Sequence, residues 1–472
     1  MLLMLRGKLT QCILQIWVLY FGSIIVALGF KLLLHSKCVL HIHQFFRGHC
    51  IRSFTFLNYK FSIAGNETKH TWKERLAFLL ESMYNKGKGE ILMKILIAPD
   101  SFKGSLSAGE AAAKIAEAAA AVFPEAEIIE APVADGGEGT LDAIMQGLEL
   151  ETVTLSVTGP DFEPCSAVYG KQGDTAYIEM ARTSGLCMSR LREAKKTTSR
   201  GFGEAILHAL EGGAKTLYMA IGGSATNDGG MGMLEALGVR FLDANGKALE
   251  GKGENLTHIC TIDTSGLTPL LQEADCYIIC DVQNPLLGET GATRVYGPQK
   301  GAGEADLDML EKGMEKYAEC AARTLGERFE TLPGAGAAGG VGFALLAFAG
   351  AKFCPGIETV LDIIGFDKKV KNADLVITGE GKMDGQSAFG KAPVGVAQRC
   401  GGIPVVAMVG GIGDGFEAVY NRGITAVFSV FDNAMPLSTA IENAAPMMRR
   451  AAERMLRTVK AGMQISKYMK PY

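Results

Sequence analysis

Residues 93–115 read MKILIAPDSFKGSLSAGEAAAKI, and this stretch decides the class of fold. Positions 94–99 are almost wholly apolar and short, which predicts a strand buried on both faces. A polar loop follows. Ser107 then stands three residues before Glu110, the spacing of a capping box, ahead of an alanine-rich run to Val122 that predicts a helix. Strand, loop, helix is the repeating unit of an α/β protein.

Reading onward, the unit recurs with a strand over 127–133 and a helix over 140–148. The texture then changes: 152–159, 165–173 and 175–181 predict antiparallel strands joined by tight turns. A helix over 202–211, a strand over 216–221 and a helix over 231–237 follow. Asn245-Gly246 predicts a hairpin within 239–249, 276–282 a buried strand and 306–326 a long helix. From 374 the alternation returns: strands at 374–381, 405–410 and 426–431, a helix beginning at Pro393, and a final helix over 437–458. The expectation is a parallel sheet supplied by both ends of the core and interrupted by an inserted domain. Its parts would be 93–150 with 366–465, and 151–365.

Residues 1–92 differ in kind from the rest. They carry twelve Lys and Arg against four Glu and no Asp, a formal +8, with both Trp and five of the seven His. The remainder carries 35 Lys and Arg against 47 Asp and Glu, a formal −12, and 52 of the 59 Gly. Within the first segment, 13–30 is an apolar run near the lower length limit for a membrane helix. A second expectation is that Met93 is the native start and 1–92 is translated upstream sequence, because KGKGEIL before it could encode a purine-rich ribosome-binding site. In that case no membrane is involved.

Eight of the Cys lie beyond residue 92, with no C-x-x-C pair and no His cluster, which disfavours zinc and suits a reducing cytoplasm. The acidic balance and the lack of a basic stripe disfavour nucleic acid.

The loops hold the chemistry. VADGGEGTLDAI (133–144) and TNDGGMGMLEAL (226–237) share the pattern D-G-G-x-G before a helix. Bare backbone N–H groups and a helix N-terminus make an anion site. An Asp at its head would repel phosphate unless a cation lies between them, as Mg²⁺ would; alternatively each Asp is a simple N-cap. Two other patterns, GAGAAG (334–339) and GQSAFGKA (385–392), match nucleotide motifs in letter only: Pro333 precedes the first, and Ala392 replaces the Ser or Thr of a Walker loop in the second. Further strand-end loops carry Asp100, Ser101 and Lys103, then Asp281 and Asn284, then Glu380 and Asp384. Carboxylates, glycines and lysines together suit phosphoryl transfer, where positioning and charge neutralisation dominate. Two other readings stay open: a non-catalytic nucleotide- or phosphate-sensing module, and a hydroxy-acid dehydrogenase.

Six stretches together, KILIAPDSFKGSLSA, VADGGEGT, GGSATNDGGMGML, DVQNPLLGETGA, GPQKGA and TGEGKMDGQSAFGKAPVGVA, resemble the bacterial glycerate kinase family from Met93 to about residue 460. The resemblance implies two α/β domains, one flavodoxin-like and built from both chain ends, the other inserted. It also implies ATP-dependent phosphorylation of D-glycerate with Mg²⁺, the 2-phosphate being favoured over the 3-phosphate. The site residues expected on that basis are Asp228, Lys103 and Asp135 as catalytic groups, with Asp228 first choice for the base. Ser101, Gly136, Gly137, Gly222, Gly223, Ser224, Asn227, Gly229, Gly230, Asn284 and Lys391 would bind substrate or nucleotide. Asp135, Glu138, Asp281, Glu380 and Asp384 would face the metal. Oligomeric state is not legible.

Overall fold

The structure, a computed structural model, describes residues 93–468, with side chains to residue 465. The apolar run at 13–30 and the proposed upstream extension lie outside the described residues. In chain order the strands are β1 (Lys94–Pro99), β2 (Glu127–Glu130), β3 (Glu151–Thr158), β4 (Pro164–Gln172), β5 (Thr175–Glu179), β6 (Thr216–Ala220), β7 (Arg240–Leu242), β8 (Thr261–Asp263), β9 (Asp275–Ile279), β10 (Lys352–Cys354), β11 (Leu375–Met383), β12 (Val405–Ile412) and β13 (Ala426–Ser429).

One sheet has the order β13-β12-β11-β1-β2 with every pairing parallel. Renumbered along the chain, this is the flavodoxin order 2-1-3-4-5, whose switch point lies between β1 and β11. Ligands in such sheets sit outside the carboxyl ends of the strands at that crevice. The second sheet has the order β10-β9-β6-β5-β4-β3. Its four strands β10, β9, β6 and β5 are parallel, and β4 and β3 extend it antiparallel, as the hairpin texture of 152–181 predicts.

Period-two alternation along β1 sends Ile95 and Ile97 to one core and Leu96 and Ala98 to another. The first core is sealed by the helix Ala108–Val122 and the helix Ala444–Tyr468. The second is continuous with residues of both sheets: Val376 and Val405 from the first, Tyr177 and Ile279 from the second, with Leu141 and Val360 between. A third core covers the far face of the second sheet. The shared core fixes the strand ends of one sheet against those of the other.

Ser107 closes the predicted capping box: its Oγ accepts from the Glu110 amide at 3.2 Å and Glu110 Oε2 accepts from the Ser107 amide at 2.9 Å, a cap worth about 1 kcal/mol. Two expectations change. The turn at Asn245-Gly246 forms, with the Asp243 amide donating to the Lys247 carbonyl, but β7 pairs with β8 rather than with the returning strand. The return meets β7 through one bridge, Leu242 to Ala248. The final helix is two, Leu437–Glu442 and Ala444–Tyr468.

Candidate active site

The site lies where strand-end loops of both sheets meet. β1 delivers Asp100, Ser101 and Lys103, and the loop after β2 delivers Asp135 through Gly139. The loop after β9 delivers Asp281, and Glu380 lies within β11, beside β1 at the switch point. Glycine is required where these loops touch. A Cβ on Gly136, whose φ is +95°, would lie 2.3 Å from the Ile279 carbonyl oxygen, and one on Gly356 would lie 2.1 Å from the Asp135 carbonyl oxygen.

Asp135 is the electrostatic hub. Burial, and then the charge of Asp135, raises the carboxyl of Asp100 to about 7. Desolvation and then Asp135 and Glu358 raise Asp281 to about 6, although the Gly356 amide, donating at 2.6 Å, opposes this. Glu380 is raised chiefly by burial, with Asp384 and Asp135 adding to it and Lys391 opposing. Glu380 is 7% exposed, and its Oε1 has no hydrogen-bond partner among the described residues. Four carboxylates therefore crowd one crevice, with Lys103 acting on Asp100 and Lys391 on Glu380.

Among the described residues no three His, Cys, Asp or Glu are arranged to hold a metal ion. Mg²⁺ takes one or two carboxylates and fills its remaining positions with water and phosphate oxygens. A buried carboxylate with an orphaned oxygen, beside a second carboxylate, fits that ion. Its candidate protein ligands are Glu380 and Asp135.

Next to this crevice is a cavity of about 310 Å³, lined by Ser101, Lys103, Ser107, Glu138, Glu179 and Arg182 among others. Glu179 ends β5 and is 1% exposed; its carboxylate accepts from the amides of Gly139 and Leu141 at 3.1 and 2.8 Å. It thereby caps the helix Thr140–Gly147, whose own N-cap, Gly139, has no side chain to do so. Sequence reading missed Glu179 because this cap comes from 38 residues away.

Several expected residues serve the framework instead. Asp228 is fully buried, and its oxygens accept from the Ser199 amide and hydroxyl and from the Gly230 and Gly232 amides, at 2.7–3.1 Å. With its oxygens so engaged it organises the loop, and it is poorly placed as base or metal ligand. Gly229 and Gly230 pack against Tyr317 and Ala344. Asn227 is buried and donates to Thr293 Oγ1 at 3.0 Å. Ser224 accepts from Lys300 Nζ at 2.8 Å. Asn284 bridges Thr290 and Tyr296, while Asp384 caps the turn Gly385–Ala388 through the Gln386 amide and pairs with Lys382 at 3.3 Å. Gly222 and Gly223 do face the site, beside Gly137 and Glu138. No helix among the described residues is long and apolar enough to cross a membrane.

The sequence profile of the glycerate kinase family matches residues 95–460. The chain is 46% identical over 383 residues to a glycerate kinase of Bacillus subtilis (strain 168), covering 80% of this chain and 99% of that one. It is 44% identical over 378 residues to the glycerate 2-kinase of Escherichia coli (strain K12), covering 79% and 99%. A crystal structure from Salmonella typhimurium LT2, provisionally assigned as glycerate kinase 2, superposes with a TM-score of 0.68 at 43% identity, covering 79% of this chain and all of that one.

Proposed function

The chain belongs to the glycerate kinase family, and from that premise we propose that it transfers the γ-phosphoryl group of ATP to D-glycerate, giving 2-phosphoglycerate and ADP in the cytoplasm. The observation that carries the reading is the group of carboxylates around Asp135 at the switch point, beside the closely packed glycine loops 136–139 and 222–223. Phosphoryl transfer asks mainly for positioning and charge neutralisation, which these groups supply. The domain limits 93–150 with 366–465, and 151–365, remain our proposal, with the two sheets as support.

In this mechanism the amides of 136–138 and 223 and the side chain of Lys391 hold phosphate oxygens, while the Gly139 and Gly222 amides stay with Glu179 and the Gly136 carbonyl. Asp135 and Glu380 would hold Mg²⁺, which when bound neutralises phosphate charge next to the carboxylates. Asp100 takes the base role expected of Asp228. One of its oxygens accepts from the Ser101 amide at 2.6 Å, and burial, the largest of the causes that raise its carboxyl, makes it a better proton acceptor than an exposed aspartate. As the glycerate hydroxyl oxygen bonds to the γ-phosphorus, the bond to the β-bridging oxygen breaks, ADP departs, and the hydroxyl proton passes to Asp100. Lys103 steadies the anionic substrate.

The test is purified protein with ATP, Mg²⁺ and D-glycerate, monitored for ADP. Glycerate-dependent ADP formation is expected. Its absence in folded protein that binds ATP would overturn the reading in favour of a sensor, and tight binding of NAD(H) would favour a dehydrogenase.

A further inference from the structure

The cavity beside the carboxylate crevice contains a cation that the reaction scheme above leaves unused. Arg182 lies on the short helix Ala181–Ser184 immediately after β5, so it stands at the carboxyl end of a strand that pairs in parallel with β6. Its Nη2 meets Asp142 Oδ2 at 2.5 Å, and its Nε lies 3.8 Å from Glu179 Oε2, beyond hydrogen-bond reach. That Nε is buried and has no hydrogen-bond partner among the described residues. Asp142 therefore anchors one corner of the guanidinium. Glu179 is occupied by the two amides of the helix it caps. Arg182 lines the same cavity as Lys103 and Ser101.

A planar fork with unspent donors is suited to a carboxylate, which it can grip bidentately; a lysine presents only a point charge. The amino end of the helix Ala108–Val122 borders the same cavity and adds positive potential. Three carboxylates also line the cavity: Asp142 is paired with Arg182, Glu179 accepts from two amides, and Glu138, whose Oε2 faces Cys187 Sγ at 3.8 Å, is the opposing charge left over. We propose that Arg182, with Lys103, binds the carboxylate of the hydroxy-acid substrate in this cavity and so selects an acid over a neutral polyol. This rests on the kinase reading above and deepens it. It also orients the substrate: with the carboxylate held at the β5 end, the hydroxyls are directed toward the crevice of Asp100.

The experiment compares wild type, Arg182→Ala, Arg182→Lys and Asp142→Asn in steady-state kinetics with D-glycerate, with its uncharged amide and with varied ATP, alongside thermal melts. Wild-type turnover of glycerate establishes the kinase reading independently. Arg182→Ala is expected to raise KM for glycerate by about thirtyfold or more, since a charge-assisted bidentate pair is worth roughly 2–3 kcal/mol. KM for ATP should stay within about twofold, and the preference for glycerate over its amide should fall at least tenfold. Arg182→Lys, which keeps the charge but loses the fork, should fall between and remains informative if the alanine variant does not fold. Asp142→Asn, which releases the anchored corner but keeps the guanidinium, should raise KM for glycerate by less than Arg182→Ala does. An unchanged glycerate-to-amide preference in a folded Arg182 variant overturns the proposal, as does a rise in KM for Asp142→Asn equal to that for Arg182→Ala.

Discussion

The Gly222 amide donates to the Gly136 carbonyl at 3.0 Å, tying the loop that leaves β6 to the loop that leaves β2. The two backbones are so close that a Cβ on Gly222 would lie 2.7 Å from Gly137 Cα and 2.9 Å from Gly136 O. Gly222→Ala should therefore push the loops apart, costing about 1–3 kcal/mol as an overpacked contact. The expected result is a lower melting temperature and a higher KM for ATP, read by thermal melts and initial rates. An unchanged melt would mean that the loops separate freely.

Asp228 is expected to behave as a loop organiser. In Asp228→Asn one of the two oxygens becomes an NH₂ facing amide donors, which leaves buried groups mismatched at about 1–3 kcal/mol. The melting temperature should fall, with turnover reduced only as far as the loop is displaced. Loss of turnover by 10²–10⁴-fold at an unchanged melting temperature would restore the base role to Asp228.

Asp100 gives a pH signature. Its carboxyl is raised from an ordinary 3.8 to about 7, first by burial and then by Asp135. Between these values the folded state holds a proton that the unfolded chain has released, so stability falls as pH rises from about 4 to about 7. In metal-free protein, Asp100→Asn should flatten that fall. It should match wild type near pH 4 and melt higher than wild type above pH 7. The same variant should lose 10²–10⁴-fold in turnover if Asp100 accepts the hydroxyl proton. A melting profile parallel to wild type across this range would contradict the assignment.

Glu380 and Lys391 separate metal from phosphate. Glu380→Gln should raise the free Mg²⁺ needed for half-maximal rate by about tenfold or more, in the range seen when metal-site partners are removed. Lys391→Met should raise KM for ATP by about tenfold, equivalent to about 1.4 kcal/mol, and leave KM for glycerate nearly unchanged. Titrations of Mg²⁺ and ATP against rate check both, and an effect of Lys391→Met confined to glycerate would move that lysine to the other substrate.

The sequence made the elements of the fold legible wherever the signal is local. The apolar run of β1, the Ser107–Glu110 box and the glycine loops at 135–139 and 222–232 are local patterns, and each has its counterpart in the structure. Sequence spacing does not reveal pairings between distant segments. Glu179 caps a helix 38 residues earlier, and β7 finds β8 across an intervening turn. The two D-G-G-x-G loops read alike, but one Asp reaches the crevice while the other is enclosed by Ser199 and its own helix start. Burial depends on which core a loop is pressed against, so identical letters carry different chemistry. Arg182 is not legible in the sequence because its ion-pair partner, Asp142, meets it only in three dimensions.

The position of the phosphate on the product separates transfer to the 2-hydroxyl from transfer to the 3-hydroxyl. Full-length protein, D-glycerate, ATP and Mg²⁺ are incubated with enolase alone, and in parallel with enolase and phosphoglycerate mutase, while phosphoenolpyruvate is followed. Signal with enolase alone is the predicted result, because it requires transfer to the 2-hydroxyl. Signal only when the mutase is added would contradict that account and place the phosphate on the 3-hydroxyl.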